Sequence, residues 1–572
     1  MEYFMKKVSI GYQQYDELIT NNLFYIDKTR FIEEWWESGD KVTLIARPRR
    51  FGKTLTMSMT EQFFSVEYKE REDLFRDTYI WTKEKYREIQ GTYPVISLSF
   101  SDIKESSFDQ ARKLLIESIV DLYNKYSFLA EGDLLTEREK EYFNRISSDS
   151  ENYEIIIAIR RLSDFLFRFY HKKVIILLDE YDTPMQDAYV SGYWKEFTEF
   201  TRGLFNSAFK SNPFLERAIL TGITRVSKES IFSDLNNIEV VTVTTEKYED
   251  IFGFTETEVF QALEEYGLYD RRDEVKRWYD GFTFGRKTDI YNPWSILNYI
   301  DKRKVDTYWV NTSSNALIGK VIQQGSRQIK EDFELLLAGK TVLTEIDEQI
   351  VYNRLDLDET AVWSLLLAGG YLKVGECIQT DTSAEWSRKY RLAVTNFEVM
   401  LLFRKLVREW FSPAASNYNE FTNALLQNDV RAMNVYINRI SQATFSYFDS
   451  GNRPSSESEP ERFYHGFVLG LIVDLNDQYV ITSNRESGFG RYDVMLEPKR
   501  KDRPAIIMEF KVQDKTKEKD LTSTAQAALR QIRSKGYAAI LQSKGIDDRQ
   551  IYEYGFAFCG KEVYILGSRG EK

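Results

Sequence analysis

Cysteine and histidine are almost absent from this chain of 572 residues. The only cysteines are Cys377 and Cys559, which excludes a disulfide framework and argues against a cysteine-ligated zinc site. The only histidines are His171 and His465, so a His-rich metal site and most histidine-dependent mechanisms are excluded as well. A catalytic metal would therefore have to be held by carboxylates, which favours Mg²⁺ or Mn²⁺.

Long apolar runs are missing too. No segment approaches the ~18 uncharged apolar residues of a membrane span, and the N-terminal stretch MEYFMKKVSIGYQQYDE lacks the apolar core of a secretory signal. These features predict a cytoplasmic protein without a membrane partner. The chain is too long for one compact core, so roughly two to four domains are expected.

The charge of the chain restricts its partners. A net charge of −12 argues against a protein that coats nucleic acid over its whole surface. The charge is unevenly distributed, because residues 461–572 hold 19 Lys and Arg against 16 Asp and Glu. The C-terminal part of the chain is therefore the part that tolerates a polyanion.

Four apolar runs of strand length predict an α/β sheet within residues 1–250. The runs are KVTLIA (41–46), YPVISLSF (93–100), KVIILLDE (173–180) and RAILTGIT (217–224). Near-continuous apolar runs separated by long helical stretches are typical of parallel strands covered on both faces. A helix is predicted from Lys53 through Phe64.

The segment RPRRFGKT (47–54) follows the first run and has the pattern of a phosphate-binding loop. In such a loop, backbone N–H groups at a helix start hold phosphate and the lysine reaches the β- and γ-phosphates. Gly52, Lys53 and Thr54 fit the pattern, whereas Arg47 stands where the first glycine is expected. We assign nucleotide binding to Arg49, Arg50, Phe51, Gly52, Lys53 and Thr54.

Two further runs end in polar residues that suit nucleotide chemistry. KVIILLDE ends in Asp179 and Glu180, which is the Walker B arrangement. There, Asp179 holds Mg²⁺ together with Thr54, and Glu180 polarises the attacking water. Thr221 and Arg225 follow in the next run, where a polar residue senses the γ-phosphate and an arginine neutralises developing charge. A buried strand with a solvated acidic turn is the alternative interpretation.

A set of six strings occurs in order along the first half of the chain. They are NNLFYIDKT (21–29), RPRRFGKT (47–54), LLDEYDTP (177–184), TGITRVS (221–227), WYDGFTFG (278–285) and YNPWSIL (291–297). Together they resemble the prokaryotic AAA-ATPase-like family of P-loop proteins. The resemblance implies ATP as the nucleotide and accounts for the arginine in place of the first glycine.

Two apolar segments flank a basic turn in RYDVMLEPKRKDRPAIIMEFKV (491–512). If these strands pair antiparallel about a turn centred on Lys501, Asp493 falls opposite Glu509. Lys511 lies two residues beyond Glu509 and shares its face of the sheet. Because neighbouring carboxylates repel unless a cation lies between them, a divalent metal is predicted at this position. Such a metal supports phosphodiester hydrolysis, with Lys511 orienting water or neutralising charge.

Asp493 and the Glu509-x-Lys511 triplet match the PD-(D/E)XK nuclease pattern, with Tyr492 in place of the proline. With EPERFYHGFVLGL (459–471), GFGRYDVML (488–496) and STAQAALRQIRSKGYA (523–538), they resemble the nuclease domain that accompanies the AAA-ATPase-like family. The resemblance implies Asp493 and Glu509 as metal ligands, Lys511 as catalytic lysine, Glu461 as auxiliary metal ligand and Gln531 as a supporting polar residue.

The sequence thus predicts an α/β multidomain protein: a P-loop NTPase parallel sheet with a helical lid, followed by a restriction-endonuclease-like (PD-(D/E)XK) α/β domain. The expected divisions are 1–250 for the ATPase-like domain, 251–345 for the lid, 346–454 for a middle region and 455–572 for the nuclease domain. The elements expected within the last are helices over 461–474 and 522–535 and final strands near 537–542 and 554–567.

The function that these patterns predict is ATP binding and hydrolysis together with Mg²⁺-dependent cleavage of nucleic acid, DNA favoured over RNA. The state of the nucleotide is expected to regulate the nuclease, and a homo-oligomer is compatible with the sequence. The alternative is an ATP-dependent switch or scaffold whose nuclease-like domain binds nucleic acid or protein without cleaving it, since an E-x-K triplet is also typical of a solvent-facing salt bridge. A small-molecule kinase is disfavoured because no acceptor pocket follows the P-loop.

Overall fold

The computed structural model describes most of the chain: residues 5–225, 236–312, 318–319, 321–322, 326–348, 359–382, 385–410, 418–444, 468, 472, 475, 478–487, 490–500, 502–514 and 518–569. The chain divides into two compact units. The first comprises Met1–Gln324 and Gly339–Met400, and the second comprises Gly325–Ala338 and Leu401–Lys572. Among the helices described, none has the length and apolar character needed to cross a membrane.

The secondary structure of the described residues is as follows. The strands are β1 (Val42–Ala46), β2 (Val95–Ser99), β3 (Val174–Asp179), β4 (Leu215–Gly222), β5 (Ile238–Val241), β6 (Phe254–Thr255), β7 (Asp280–Phe284), β8 (Lys287–Tyr291), β9 (Val342–Thr344), β10 (Leu372–Thr382), β11 (Glu385–Val394), β12 (Tyr479–Ser487), β13 (Gly490–Pro498), β14 (Ala505–Val512), β15 (Ile551–Cys559) and β16 (Glu562–Arg569). The helices are α1 (Tyr15–Thr20), α2 (Arg30–Ser38), α3 (Lys53–Phe64), α4 (Glu84–Ile89), α5 (Phe108–Lys125), α6 (Phe128–Glu131), α7 (Glu137–Arg145), α8 (Asn152–Tyr170), α9 (Thr183–Ser191), α10 (Trp194–Phe205), α11 (Glu256–Glu265), α12 (Arg272–Tyr279), α13 (Pro293–Lys302), α14 (Arg327–Leu337), α15 (Glu359–Ala368), α16 (Phe397–Trp410), α17 (Tyr418–Gln427), α18 (Val430–Thr444), α19 (Leu521–Lys535) and α20 (Ala538–Ser543).

A parallel sheet in the order β2-β3-β4-β1-β5 forms the centre of the first unit. Every residue of β1 and β3 is buried, which requires cover on both faces of the sheet. Helices α3, α5 and α8 pack against its strands. The four apolar runs form β1 to β4, and α3 spans the predicted Lys53–Phe64, so the expected parallel α/β sheet is confirmed.

The region after β5 contains more than the helices expected for a lid. Helices α11, α12 and α13 are joined by a small antiparallel sheet in the order β6-β8-β7. The rings of Phe282 and Phe284 on β7 pack on Phe51, with centroids 4.7 and 5.3 Å away. The alternating aromatic residues of DGFTF therefore form a strand, which the helical expectation for residues 251–345 did not include.

A buried carboxylate fixes the chain between α13 and α16. Glu398 accepts hydrogen bonds from the backbone N–H of Trp309 (2.6 Å) and of Val310 (3.3 Å) and from the Ser295 hydroxyl (3.0 Å). The Trp309 indole N–H in turn donates to the carbonyl of Arg49 in the RPRRFGKT turn (3.0 Å). Burial raises the pKa of Glu398 to about 7.

The second unit is built on a mixed sheet in the order β12-β13-β14-β15-β16. Strands β14 and β15 are parallel, and the other neighbouring pairs are antiparallel. Helix α19, which connects β14 to β15, packs on both of them and matches the predicted helix over 522–535. The helix expected over 461–474 lies outside the described residues, apart from positions 468 and 472.

One predicted strand is wrong. Residues Ala538–Ser543 form helix α20, whereas a strand was expected near 537–542. The sequence AAILQS contains good helix formers, and only one of its residues, Leu541, is buried, so the segment needs no place in the sheet. The strand expected over 554–567 is two strands, β15 and β16, joined by a turn.

Helix α18 protects the outer edge of β16 with side-chain amides. The amide group of Asn434 donates to the carbonyl of Ile565 and accepts from its N–H, both at 2.8 Å. Asn438, one helical turn later, makes the same pair of bonds to Val563, at 2.6 and 2.9 Å. Since alternate residues of an edge strand present their unpaired backbone groups outward, asparagines four residues apart on a helix can replace a further strand.

Replacing both Asn434 and Asn438 by Ala should destabilise the second unit by roughly 2–4 kcal/mol, because four hydrogen bonds at the sheet edge are lost. Urea unfolding measures the loss, and hydrogen exchange at the amides of Val563 and Ile565 locates it. The control is Val435→Ala, on the exposed side of the same helix. Equal exchange rates in the double variant and the control would contradict this role.

Glu398 should make the first unit less stable as the pH rises from about 4.5 to about 7. Its folded-state pKa is raised to about 7, so across this window the unfolded chain ionises Glu398 while the folded chain keeps it protonated. The lost stability is at most about 1.4 kcal/mol per pH unit and stops growing above the folded-state pKa. Glu398→Gln cannot titrate, so its unfolding free energy relative to wild type should rise through the window. Urea titrations at several pH values, followed by tryptophan fluorescence, test this, and parallel curves would refute it.

Candidate functional sites

A cavity of about 940 Å³ opens where β1 leads into α3. One side of it is polar and is formed by the RPRRFGKT turn and by the turn that follows β3. The other side is largely apolar and is contributed by the N-terminal segment and by the region after β5: Tyr12, Phe24, Ile26, Ile251, Phe254 and Leu297. The cavity therefore combines a phosphate-type loop with an apolar wall.

The RPRRFGKT turn has the backbone of a phosphate-binding loop. Gly52 is the N-cap of α3 and adopts a left-handed conformation (φ 83°), as does Arg50 (φ 64°). The ammonium group of Lys53 is buried and donates to the carbonyls of Arg47 and Pro48, both at 2.9 Å. Burial lowers the pKa of Lys53. Lys53, the first residue of α3, thus folds back onto the carbonyls at the beginning of the same turn.

Arg47 is a structural residue of the loop. Its side chain is fully buried and donates to the carbonyls of Thr242 and Lys247, the latter at 3.3 Å. The guanidinium lies over the ring of Phe284 at 4.6 Å, and burial lowers the pKa of Arg47 to about 9. The residue that replaces the first glycine therefore anchors the loop to the chain after β5.

The three residues between Pro48 and Gly52 face the region after β5 or the cavity. Arg49 donates to Gln186 at 3.3 Å, and Arg50 lies over the ring of Trp294 at 4.5 Å. The side chain of Phe51 is buried against aromatic rings, so the residue offers a ligand only its backbone. All three residues line the cavity.

Asp179 lies at the tip of β3 among hydroxyl groups. It is buried and accepts hydrogen bonds from the hydroxyls of Thr221 and Thr54. Burial raises the pKa of Asp179. The structure thus brings together Thr54, Asp179 and Thr221 from three different elements, and the hydroxyl and carboxylate oxygens of Thr54 and Asp179 are ligands that suit Mg²⁺.

Glu180 and Arg225 occupy different surroundings. Glu180 has a left-handed backbone (φ 51°), lines the cavity and accepts a hydrogen bond from the Thr183 hydroxyl at 3.1 Å. Its backbone N–H donates to Asp179 at 3.1 Å. Arg225 is half-buried two residues after Ile223 and is not among the residues that line the cavity.

A third carboxylate in this area was missed by sequence reasoning. Asp182, three residues after Asp179, is buried and lines the cavity. The signal that could have indicated it is the D-E-Y-D spacing within LLDEYDTP (177–184). Its side chain makes no cap hydrogen bond to α9.

The predicted hairpin register is present in the second unit. Val494 pairs with Met508, and Leu496 pairs with Ile506, so Asp493 extends the register towards Glu509. Asp493 Oδ2 accepts a hydrogen bond from the backbone N–H of Phe510 at 2.8 Å. The two carboxylates therefore meet at one end of the β13/β14 pair.

Glu509 is buried in β14 and receives a hydrogen bond from the side-chain amide of Gln531 on α19. Gln531 also bonds the hydroxyl of the buried Tyr537. Burial raises the pKa of Tyr537, and the nearby charges of Glu509 and Asp493 add to the shift. A polar cluster thus surrounds the two carboxylates inside an otherwise apolar sheet.

Lys511 follows on the same strand, where β14 changes from buried to half-buried residues. Strand alternation directs its side chain to the face that Glu509 occupies. Glu461 lies outside the described residues, so its role as an auxiliary ligand stays a prediction. The oxygen ligands of Asp493 and Glu509 are of the kind that Mg²⁺ and Mn²⁺ bind.

Another acidic cluster lies elsewhere in the first unit. Carboxylate oxygens of Glu256, Asp280 and Asp289 lie within 4.8 Å of one another. Lys276 makes ion pairs with all three acids. Burial raises the pKa of Asp280 to about 7. The lysine and the raised pKa account for this cluster without an ion.

Comparison with known proteins gives a match in each of the two parts of the chain that contain these sites. Residues 9–232 match the family described as predicted AAA-ATPase, and residues 459–567 match the PD-(D/E)XK nuclease superfamily. A protein of Azotobacter chroococcum mcd 1, named "Uncharacterized protein in vnfD 5'region", is 26% identical over 583 residues, and the match covers 98% of each chain. The chain therefore has an N-terminal segment that matches the predicted AAA-ATPase family model and a C-terminal segment that matches the PD-(D/E)XK nuclease superfamily model.

Proposed function

We propose that this protein binds and hydrolyses ATP in its first unit and cleaves nucleic acid, with DNA as the favoured substrate, in its second unit. The observation that carries the proposal is the polar cluster of Asp493, Glu509 and Gln531 within an apolar sheet, with Lys511 two residues further along. Glu509 is buried and Asp493 is half-buried beside it, and two neighbouring carboxylates in such a place are costly unless a cation is bound between them.

The cavity of the first unit supports the assignment of ATP. Lys53 and the N–H groups at the start of α3 offer phosphate ligands, and Thr54 with Asp179 would hold Mg²⁺. The apolar wall that includes Phe24 and Ile26 suits a nucleobase. Glu180 lines the same cavity and is the proposed base for the attacking water.

In the second unit, Asp493 and Glu509 would hold a divalent ion, and Gln531 fixes the orientation of Glu509. When bound, Mg²⁺ supplies charge stabilisation at the phosphodiester and acidifies a water molecule. Lys511 orients that water or neutralises the charge that develops on the phosphate. This division of roles is that of phosphodiester hydrolysis.

The nuclease proposal is tested on single-stranded DNA, duplex DNA and RNA with Mg²⁺ or Mn²⁺. Glu509→Ala should lower the cleavage rate by more than about 100-fold, because it removes a metal ligand, and Gln531→Ala should lower it by roughly 10- to 100-fold, as is typical of a residue that holds a ligand in place. The matched control is Asp502→Asn, an exposed acid at the tip of the same hairpin.

Equal product from wild type and Glu509→Ala would remove the nuclease assignment. Binding of nucleic acid without any cleavage would instead support the switch or scaffold.

The ATPase proposal is tested with Lys53→Ala, which should abolish hydrolysis because the phosphates lose their cation. Lys113→Ala, an exposed lysine on α5, is the control. Nuclease rates are then measured without nucleotide, with ATP and with a non-hydrolysable analogue.

We expect the nucleotide to change the cleavage rate in wild type and not in Lys53→Ala. Cleavage that is indifferent to all three conditions would refute regulation while leaving both activities in place.

A further inference from the structure

Asp182 is a buried carboxylate at the candidate nucleotide site that the assignments above leave without a role. It is 1% exposed, and it lines the cavity together with Lys53 and Glu180. It occupies the N-cap position of α9, but its side chain makes no bond to that helix. Its carboxylate is instead directed towards the tip of β4.

One oxygen of Asp182 holds the chain that follows β4. Oδ2 accepts from the backbone N–H of Ile223 (3.0 Å) and from the N–H and hydroxyl of Thr224 (both 2.8 Å). The hydroxyl of Tyr181 donates to the carbonyl of Thr224 at 2.8 Å. The turn after β3 and the tip of β4 are therefore bound together as one piece.

The other oxygen of Asp182 makes no bond of this kind. Oδ1 is buried and has no hydrogen-bond partner among the described residues. It lies over Gly222, since a Cβ added to that glycine would be 2.6 Å away from it. Gly222 is paired with Ala46 at the end of β1, and its carbonyl accepts from the N–H of Arg47 at 3.1 Å. Oδ1 thus lies near the residues at which β1 leads into the RPRRFGKT turn.

Asp182 Oδ1 is a buried hydrogen-bond acceptor, and a donor that binds it would remove the cost of leaving it unpaired. A buried carboxylate oxygen that makes no hydrogen bond is destabilising, and more so when the group is charged. Lys53 already directs two of its N–H bonds to the carbonyls of Arg47 and Pro48. The third N–H of Lys53 and a water molecule at the γ-phosphate are the donors that remain within a phosphate site of this kind, and of the two only the water takes part in hydrolysis.

We propose that Asp182 orients the water that attacks the γ-phosphate, accepting a hydrogen bond from it at Oδ1 while Oδ2 fixes the tip of β4. The inference rests on the proposed ATPase activity. In the reaction, the water oxygen bonds to the γ-phosphorus, the bond from that phosphorus to the β-γ bridging oxygen breaks, and the proton of the water passes to Glu180. The products are ADP and inorganic phosphate, and Asp182 accepts no proton.

The test is Asp182→Asn in the full chain. Asparagine retains the volume and can turn its oxygen to Ile223 and Thr224, but it then presents an NH₂ donor where Oδ1 was an acceptor. We expect binding of ATP, followed with a fluorescent ATP analogue, to stay within about threefold of wild type while kcat falls on the order of 100-fold. Asp121→Asn, an exposed acid on α5, is the control.

A second variant keeps Asp182 itself. Gly222→Ala places a methyl group against Oδ1 and should lower kcat with little change in ATP binding. If circular dichroism shows that Asp182→Asn is not folded, Gly222→Ala is the variant that tests the proposal.

Two results would overturn the proposal. One is a wild-type kcat in the variants. The other is a loss of ATP affinity as large as the loss of kcat, because that result would mean that Oδ1 contacts Lys53 or the metal and not the attacking water. Failure of wild type to hydrolyse ATP would refute the proposed ATPase instead, and the two failures are therefore distinguishable.

Discussion

The parallel register of the first sheet is the constraint on which the candidate nucleotide site depends. Ala46 pairs with Gly222, and Leu178 pairs with Leu220, so β1, β4 and β3 end at the same edge. Because parallel strands have their carboxyl ends on one side, the loops that follow them meet there. Backbone pairing therefore brings together the RPRRFGKT turn, the acidic turn after β3 and the tip of β4, independently of their side chains.

The second unit uses register in a different way. There an antiparallel hairpin brings one acid from each of two strands to the same position, and a crossover helix adds an amide. In both units an uncharged polar group holds a buried carboxylate: Thr221 for Asp179 and Gln531 for Glu509. Such a neighbour fixes the orientation of a carboxylate without pairing it with a positive charge.

The sequence allowed the sheet of the first unit, helix α3 and the hairpin register of the second to be predicted, because these features follow from local periodicity and turn position. The role of Arg47 was not predictable, since it depends on carbonyls about 200 positions away along the chain. The strand at DGFTF was missed for a similar reason: its aromatic residues pack on Phe51, which is remote in sequence. Helix α20 was taken for a strand because short apolar segments carry no decisive period.

Asp182 shows a further limit of sequence reasoning. Asp182 lies at the N-cap position before Thr-Pro, where an aspartate side chain usually accepts a hydrogen bond from the first turn of the helix. Its side chain, however, follows a competing demand from three donors at the tip of β4. Only the tertiary arrangement of β3 beside β4 reveals which demand prevails.

The loop that would bind phosphate is also the loop that holds the region after β5. Arg47 lies over Phe284, Arg50 lies over Trp294, and Phe51 packs on Phe282. A cation–π contact of this kind contributes about 0.5–2 kcal/mol, and a charge-assisted bond from the same arginine to a phosphate would compete with it. A phosphate that draws Arg50 away from Trp294 would therefore weaken one attachment of α13. By linkage, any partner that holds α13 in place would in turn weaken the binding of that phosphate. The arginine-rich form of the loop thus gives a physical reason for nucleotide binding and the arrangement of the neighbouring helices to influence each other.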